Sequence, residues 1–228
     1  MMDITSRQIT LAIAFPIVIA IFIILGLLIL RKDRKYWGNR LFCGFFWAVA
    51  VALTFNIVYL FSDNPILIMA LNIATIEMVN LAIVSLFLAT LVIYKGEDEI
   101  IHSKMIYTLL IGLIILIVVH VFIPSVMVSV QFDPSWLLPF GTYEVIFSQT
   151  LLVLIFYLSF TFYRELGPEI QKKFRRYLIG LIFLDITLIS ITIDNMNVFG
   201  SGYATIGALL NFCVVFGAIL IYYGIVRR

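Results

Sequence analysis

Charge is scarce in this chain: of 228 residues only 12% are Asp, Glu, Lys or Arg, while 63% are hydrophobic. A soluble domain of ordinary composition is about half apolar and about a quarter charged. Cysteine is scarcer still. Cys43 and Cys213 are isolated from each other and form no CxxC, which excludes a disulfide framework or a cysteine metal site and leaves two structural thiols. Two histidines are too few for a multi-histidine metal or haem centre. The sequence has no HExxH for zinc and no GxSxG nucleophile elbow. It also lacks a glycine-rich phosphate loop and a partner motif for an intramembrane aspartyl protease. No catalytic residues, metal or cofactor are expected, and the chain does not read as an enzyme.

What is present is organised into long apolar blocks. Uncharged runs of about 18 residues or more read as membrane-spanning helices, and seven can be drawn, at 9–30, 41–61, 66–94, 105–124, 137–163, 176–194 and 202–226. Residues 1–228 therefore read as one all-α, polytopic seven-transmembrane-helix bundle with no soluble domain. The expected location is the cell membrane, with the lipid bilayer as the chain's first partner. The first block does not look like a signal peptide, because its basic cluster, RKDRK at 31–35, follows the apolar run. Pro65, Pro124, Pro134, Pro139 and Pro168 fall at or between span ends, where a missing N–H is harmless, and Pro16 alone lies within a span.

Orientation follows from the basic residues. Arg31, Lys32, Arg34, Lys35 and Arg40 lie in the first connection, Lys95 and Lys104 in the third, and Arg164, Lys172, Lys173, Arg175 and Arg176 in the fifth. With Arg227 and Arg228, 14 of the 15 lie on one side. This puts the N-terminus outside and the C-terminus in the cytoplasm. Tyr36, Trp37, Tyr94, Tyr107, Tyr163 and Tyr177 would form the inner aromatic belt, with Trp136 and Tyr203 in the outer one. Nothing in this pattern suggests nucleic acid. Basic loops precede Arg40–Gly44 and Arg176–Gly180, which would fit a parallel internal repeat. Ala204 and Ala208 suit close helix packing on the seventh span.

Within that frame several polar residues fall in the outer half of the membrane. At a rise of 1.5 Å per residue, Glu77 lies about 16 Å deep, Glu144 about 10 Å and Asp185 about 14 Å. Asn56, Asn72, Asn80, Ser148, Gln149 and Asn211 share this layer. No lysine or arginine lies within a span to neutralise the acids, so each must be protonated, hydrated or paired with a bound cation. Asn80, at i+3 from Glu77, is a ready hydrogen-bond partner. His120 reads as a shallower, interfacial residue. Glu77, Glu144, Asp185, Asn80, Gln149 and Asn211 are the expected lining of a ligand or ion pocket, unless they are neutral structural groups.

The layout also carries a resemblance. The basic connection leading into KKFRRYLIGLIFLD, the RLFCGFFWAVAVALTFNIVYLF span, the stretch LFLATLVIYKGEDE and the final GAILIYYGIVRR resemble the N-terminal seven-transmembrane sensor region of prokaryotic histidine kinases. The resemblance implies a sensory, receptor-like protein working in signal transduction. In that family the seventh helix leads into cytoplasmic signalling domains, whereas this sequence runs to Arg228. The implied mode of action is through a cytoplasmic or membrane signalling partner, either as a stand-alone bundle or as the sensor region of a longer protein. The family supplies no ligand residues that transfer to these positions. Two other readings stay open: a small proton- or cation-coupled transporter, and a structural subunit of a membrane complex.

Overall fold

A computed structural model describes residues 6–101, 103–122, 126–128, 134–196 and 212–225. It is predominantly helical. Three long helices open the chain: α1 (Ser6–Lys32), α2 (Trp37–Leu60) and α3 (Pro65–Lys95). A short α4 (Glu97–Ile101) leads into α5 (Lys104–Phe122), and strands β1 (Val126–Val128) and β2 (Pro134–Trp136) form a small antiparallel hairpin. α6 (Leu138–Glu165), α7 (Pro168–Asn195) and α8 (Cys213–Ile225) complete the described chain. Five helices, α1, α2, α3, α6 and α7, are long and apolar enough to cross a membrane. α5 and α8 carry shorter apolar runs, Ile106–Val118 and Cys213–Ile225.

Local chemistry sets the helix ends. Asn64 caps α3 through Oδ1, which accepts from the amides of Ile66 and Leu67 at 3.0 and 3.3 Å. Pro65, Pro139 and Pro168 each stand at the first or second helical position, where no backbone bond is lost. α3 stops at Gly96, whose φ of +96° is a conformation few other residues adopt. α1 runs unbroken across Pro16.

Three expectations need correction. The sixth span starts at Pro168 rather than near 176, so Lys172, Lys173, Arg175 and Arg176 lie on the first turns of α7, not in a loop. With Pro168 at its start and Glu169 in its first turn, the segment has a sound helix start and nothing after it to break the helix. Tyr177 accordingly lies three turns in and is fully buried, not at an interface. Finally, the fourth connection forms the β1–β2 hairpin, which packs on α3.

α3 is the centre of the assembly. It packs against α2, α6 and α5, and α1 closes on α2 while α8 closes on α7. Its central segment is the most buried of the five candidate spans. Gly180 and Gly217 let α7 and α8 approach backbone to backbone: a Cβ at 180 would lie 2.8 Å from the Gly217 carbonyl oxygen. Gly224 meets Tyr177 in the same way, at 2.5 Å from its amide nitrogen. Gly44, by contrast, has ordinary space before Ser85, so the two Arg-x-x-x-Gly stretches of the suggested repeat pack differently. Ala204 and Ala208 lie outside the described residues. Large apolar side chains such as Ile13, Ile66, Ile114 and Val153 stand exposed around the bundle, a surface that hydrocarbon would cover.

Candidate functional site

The central acid, Glu77, sits just over three turns into α3 and is 5% exposed. Its partner comes from a residue the sequence placed at an interface. His120, near the end of α5, is 3% exposed and its Nδ1 is bonded to Glu77 Oε1. On the other side of the ring, Nε2 stands 3.3 Å from Glu144 Oε1 on α6. Asn80 donates from Nδ2 to that same Glu144 oxygen at 3.4 Å. Three helices thus converge on one imidazole flanked by two carboxyl groups.

His120 is buried between α3 and α6, and the hairpin packs on α3 and braces the Phe140 ring that meets it. Val126 of β1 packs with Ile76 and Phe140. Phe140 meets the His120 ring edge-on at 4.6 Å between centroids, and Trp136 meets Phe140 at 5.5 Å. Trp136 is anchored by its Nε1–H, which donates to Asn72 Oδ1 at 3.1 Å. The expectation of a shallow, interfacial His120 is therefore overturned. It is also the basic group that a search for lysine and arginine within the spans passed over.

Chemically, the ring is hydrogen-bonded to Glu77 through Nδ1, while its Nε2 meets Glu144 as a 3.3 Å charge contact rather than an aligned hydrogen bond, so a protonated ring faces both acids. A proton can move between these groups with little heavy-atom displacement. Zero net charge, the cheapest condition away from water, is met by an imidazolium with one carboxylate and one carboxylic acid, or by a neutral ring with two carboxylic acids. Glu77 Oε2 is buried with no hydrogen-bond partner among the described residues, so the cluster holds an unmet acceptor.

Beside the cluster lies a cavity of about 70 Å³, room for several water molecules. Glu144 and Ser148 line it from α6, and Asn72, Thr75 and Asn80 from α3. Asn56 of α2, Thr192 and Asn195 of α7, and Trp136 complete its polar wall. Thr75 Oγ1 lies 3.2 Å from Asn56 Oδ1, tying α2 to α3 at this level. Among the described residues no lysine or arginine faces the space. A lining of amide and hydroxyl groups with one carboxyl group suits a ligand that is cationic or donates hydrogen bonds.

No protein-family model and no curated protein matches the chain. Its chemistry is read from these residues alone.

Of the six residues expected to share a pocket, Glu77, Glu144 and Asn80 come together. Gln149 and Asp185 form a separate pair between α6 and α7, with Gln149 Nε2 donating to Asp185 Oδ1 at 2.8 Å. Neither lines the cavity. Gln149, five residues beyond Glu144, faces another side of α6, and Asp185 pairs with it about two turns before Thr192, away from the cavity. Asn211 lies outside the described residues. Asn56, Asn72 and Ser148 line the cavity from the expected polar layer, and Thr75, Trp136, Thr192 and Asn195 join them from outside it, while Glu77 and His120 stand behind Glu144 without lining the space. Of the residues that sequence reasoning left out, only His120 had a signal to find it, as the one titratable base in an apolar helix.

Proposed function

We propose that this chain is a seven-helix, sensory or receptor-like integral membrane protein of the cell membrane. In this reading α5 and α8 span the bilayer together with the five longer helices, the N-terminus is outside and the C-terminus is cytoplasmic. A small cationic or hydrogen-bond-donating ligand enters the polar cavity in the outer half of the bundle. Its different affinity for two packings of the helices shifts their populations, and a cytoplasmic or membrane partner reads the change. The observation that carries this reading is a cavity rich in hydrogen-bonding groups whose wall includes Glu144, itself tied through His120 to the central helix. The sensor regions of histidine kinases, which the sequence resembles, supply the analogy for signalling.

A second reading has its own support. Chains of acidic residues and histidine inside membranes relay protons in pumps and transporters, and the Glu77–His120–Glu144 arrangement has that form. Proton-coupled carriers, however, commonly break their helices at the binding site. α3 and α6 run continuously past Glu77 and Glu144, which favours a receptor.

Thermal unfolding of the purified protein from pH 4 to 9 tests the site, with wild type compared with Glu144→Gln, the carboxyl group on the cavity wall, in a panel of inorganic cations and small amines. A compound that binds the folded state raises the wild-type midpoint by mass action, and the variant loses the shift. No stabilisation by any compound, with the variant matching wild type at every pH, rejects the ligand site. Net flux of protons or of the stabilising compound across proteoliposome membranes would instead favour the carrier.

A further inference from the structure

A second concave site lies at the basic end of the bundle, where α1 hands over to α2. It is an open groove of about 460 Å³ lined by Leu30, Arg34, Arg40, Cys43, Gly44 and Trp47. Its walls are held in place. The Trp47 indole rests directly against Gly26, where a Cβ would come within 2.8 Å of the ring. Arg40 donates from Nε to the Arg34 carbonyl at 2.7 Å, and its guanidinium lies 5.2 Å from the centre of the Trp37 ring.

These contacts leave the terminal nitrogens of Arg40 uncommitted among the described residues, and no described carboxylate pairs with either arginine. The nearest acids are occupied elsewhere. Asp33 Oδ1 accepts from the amides of Lys35 and Tyr36 at 2.9 and 3.3 Å, and Glu97 Oε2 accepts from the Trp37 amide at 3.3 Å. Arg34 and Arg40 thus both border an otherwise apolar groove, and among the described residues no carboxylate is paired with either. A phosphate diester, whose anionic oxygens can accept from the planar guanidinium fork, is a suitable partner for two such arginines. Basic pockets between membrane helices at the water boundary are where anionic headgroups bind.

We propose that this groove is a binding site for an anionic phospholipid of the surrounding bilayer. Its phosphate sits between Arg34 and Arg40, and an acyl chain lies along Leu30, Gly44 and the Trp47 ring. The charge pattern chooses the headgroup, and the apolar floor chooses a lipid over a soluble anion. The site is independent of the outer cavity and of the ligand proposed for it.

The test is thermal unfolding of the full chain in a mild, uncharged detergent. Three additives are compared: dioleoylphosphatidylglycerol, dioleoylphosphatidylcholine and inorganic phosphate. At saturating phosphatidylglycerol the wild-type midpoint should rise by about 5 °C or more, with little response to the other two. Arg34→Gln/Arg40→Gln should lose most of that shift, while Lys172→Gln/Lys173→Gln, on a different basic surface, should keep it. Arg34→Gln alone guards against a double variant that does not fold, since Arg34 supports Arg40 only through its backbone carbonyl; it should weaken the phosphatidylglycerol response several-fold. Equal stabilisation by phosphatidylcholine overturns the proposal, as does a full response in Arg34→Gln. An equal loss in the Lys172/Lys173 variant would mean diffuse surface attraction, and a shift reproduced by inorganic phosphate alone would mean a soluble-anion site. Either result rejects the lipid groove.

Discussion

His120 is the residue on which the outer polar network turns. It faces Glu77 and Glu144 at once, so replacing it with leucine leaves two carboxyl groups buried without their common partner. Removing one member of a buried charge pair costs roughly 3–5 kcal/mol, and His120→Leu should destabilise the protein by about that much in chemical denaturation. If the loss comes from the stranded acids, adding Glu77→Gln and Glu144→Gln to His120→Leu should recover part of it, a non-additivity visible in a mutant cycle. Strict additivity would show that the three residues are not coupled. A second buried polar contact works on a smaller scale. Thr90 Oγ1 already donates to the Leu86 carbonyl at 2.8 Å, so at the 2.7 Å contact between the two hydroxyls it is Tyr177 that donates. Tyr177→Phe removes one bond and keeps the ring packing, and should cost about 1 kcal/mol.

At the scale of elements, the α7–α8 contact and the hairpin do different work. Gly180 and Gly217 are held so close that a larger side chain must push the helices apart. Gly217→Leu should therefore destabilise by about 1–3 kcal/mol or more, as overpacking does. Gly112 on α5 is the control: nothing lies within 4 Å of an added Cβ, and Gly112→Ala should be neutral or slightly stabilising. Comparing the two midpoints in one detergent separates close packing from glycine content. Among the described residues the hairpin is tied to α3 by the side-chain bond from Trp136 to Asn72. Trp136→Phe keeps an aromatic cover on Phe140 but loses that bond. It should cost about 1 kcal/mol and speed hydrogen exchange in β1 and β2 more than in α3.

For the whole molecule, the distribution of lysine and arginine is the strongest single statement about orientation. A green fluorescent protein fused after Arg228 should be fluorescent in bacterial cells, and alkaline phosphatase at the same place should be inactive. The opposite pair of results would reverse the orientation proposed here. The helical build was legible because hydropathy and breaker residues act locally: Pro65, Asn64 and Gly96 mark the ends of α3 in the sequence itself. The start of α7 was misplaced because charged residues were read as loop, although a helix rim at a membrane surface carries charge readily. The polar residues were legible as a layer but not as a site. Hydropathy gives the depth of a residue along its helix. It does not give the direction its side chain faces when the helix is apolar on every side, as α3 is.

The sequence by itself determined that this is a chain of long apolar helices with basic clusters between some of them and a few acids within the apolar runs, because run length and charge cost are properties of each segment alone. Tertiary structure decided which of those acids meet. It brought His120 to Glu77 across 43 residues of chain and set Asp185 apart with Gln149. It also packed a connecting hairpin on α3 and against Phe140, beside the histidine, and such contacts depend on the packing of one element against another, which no single segment encodes.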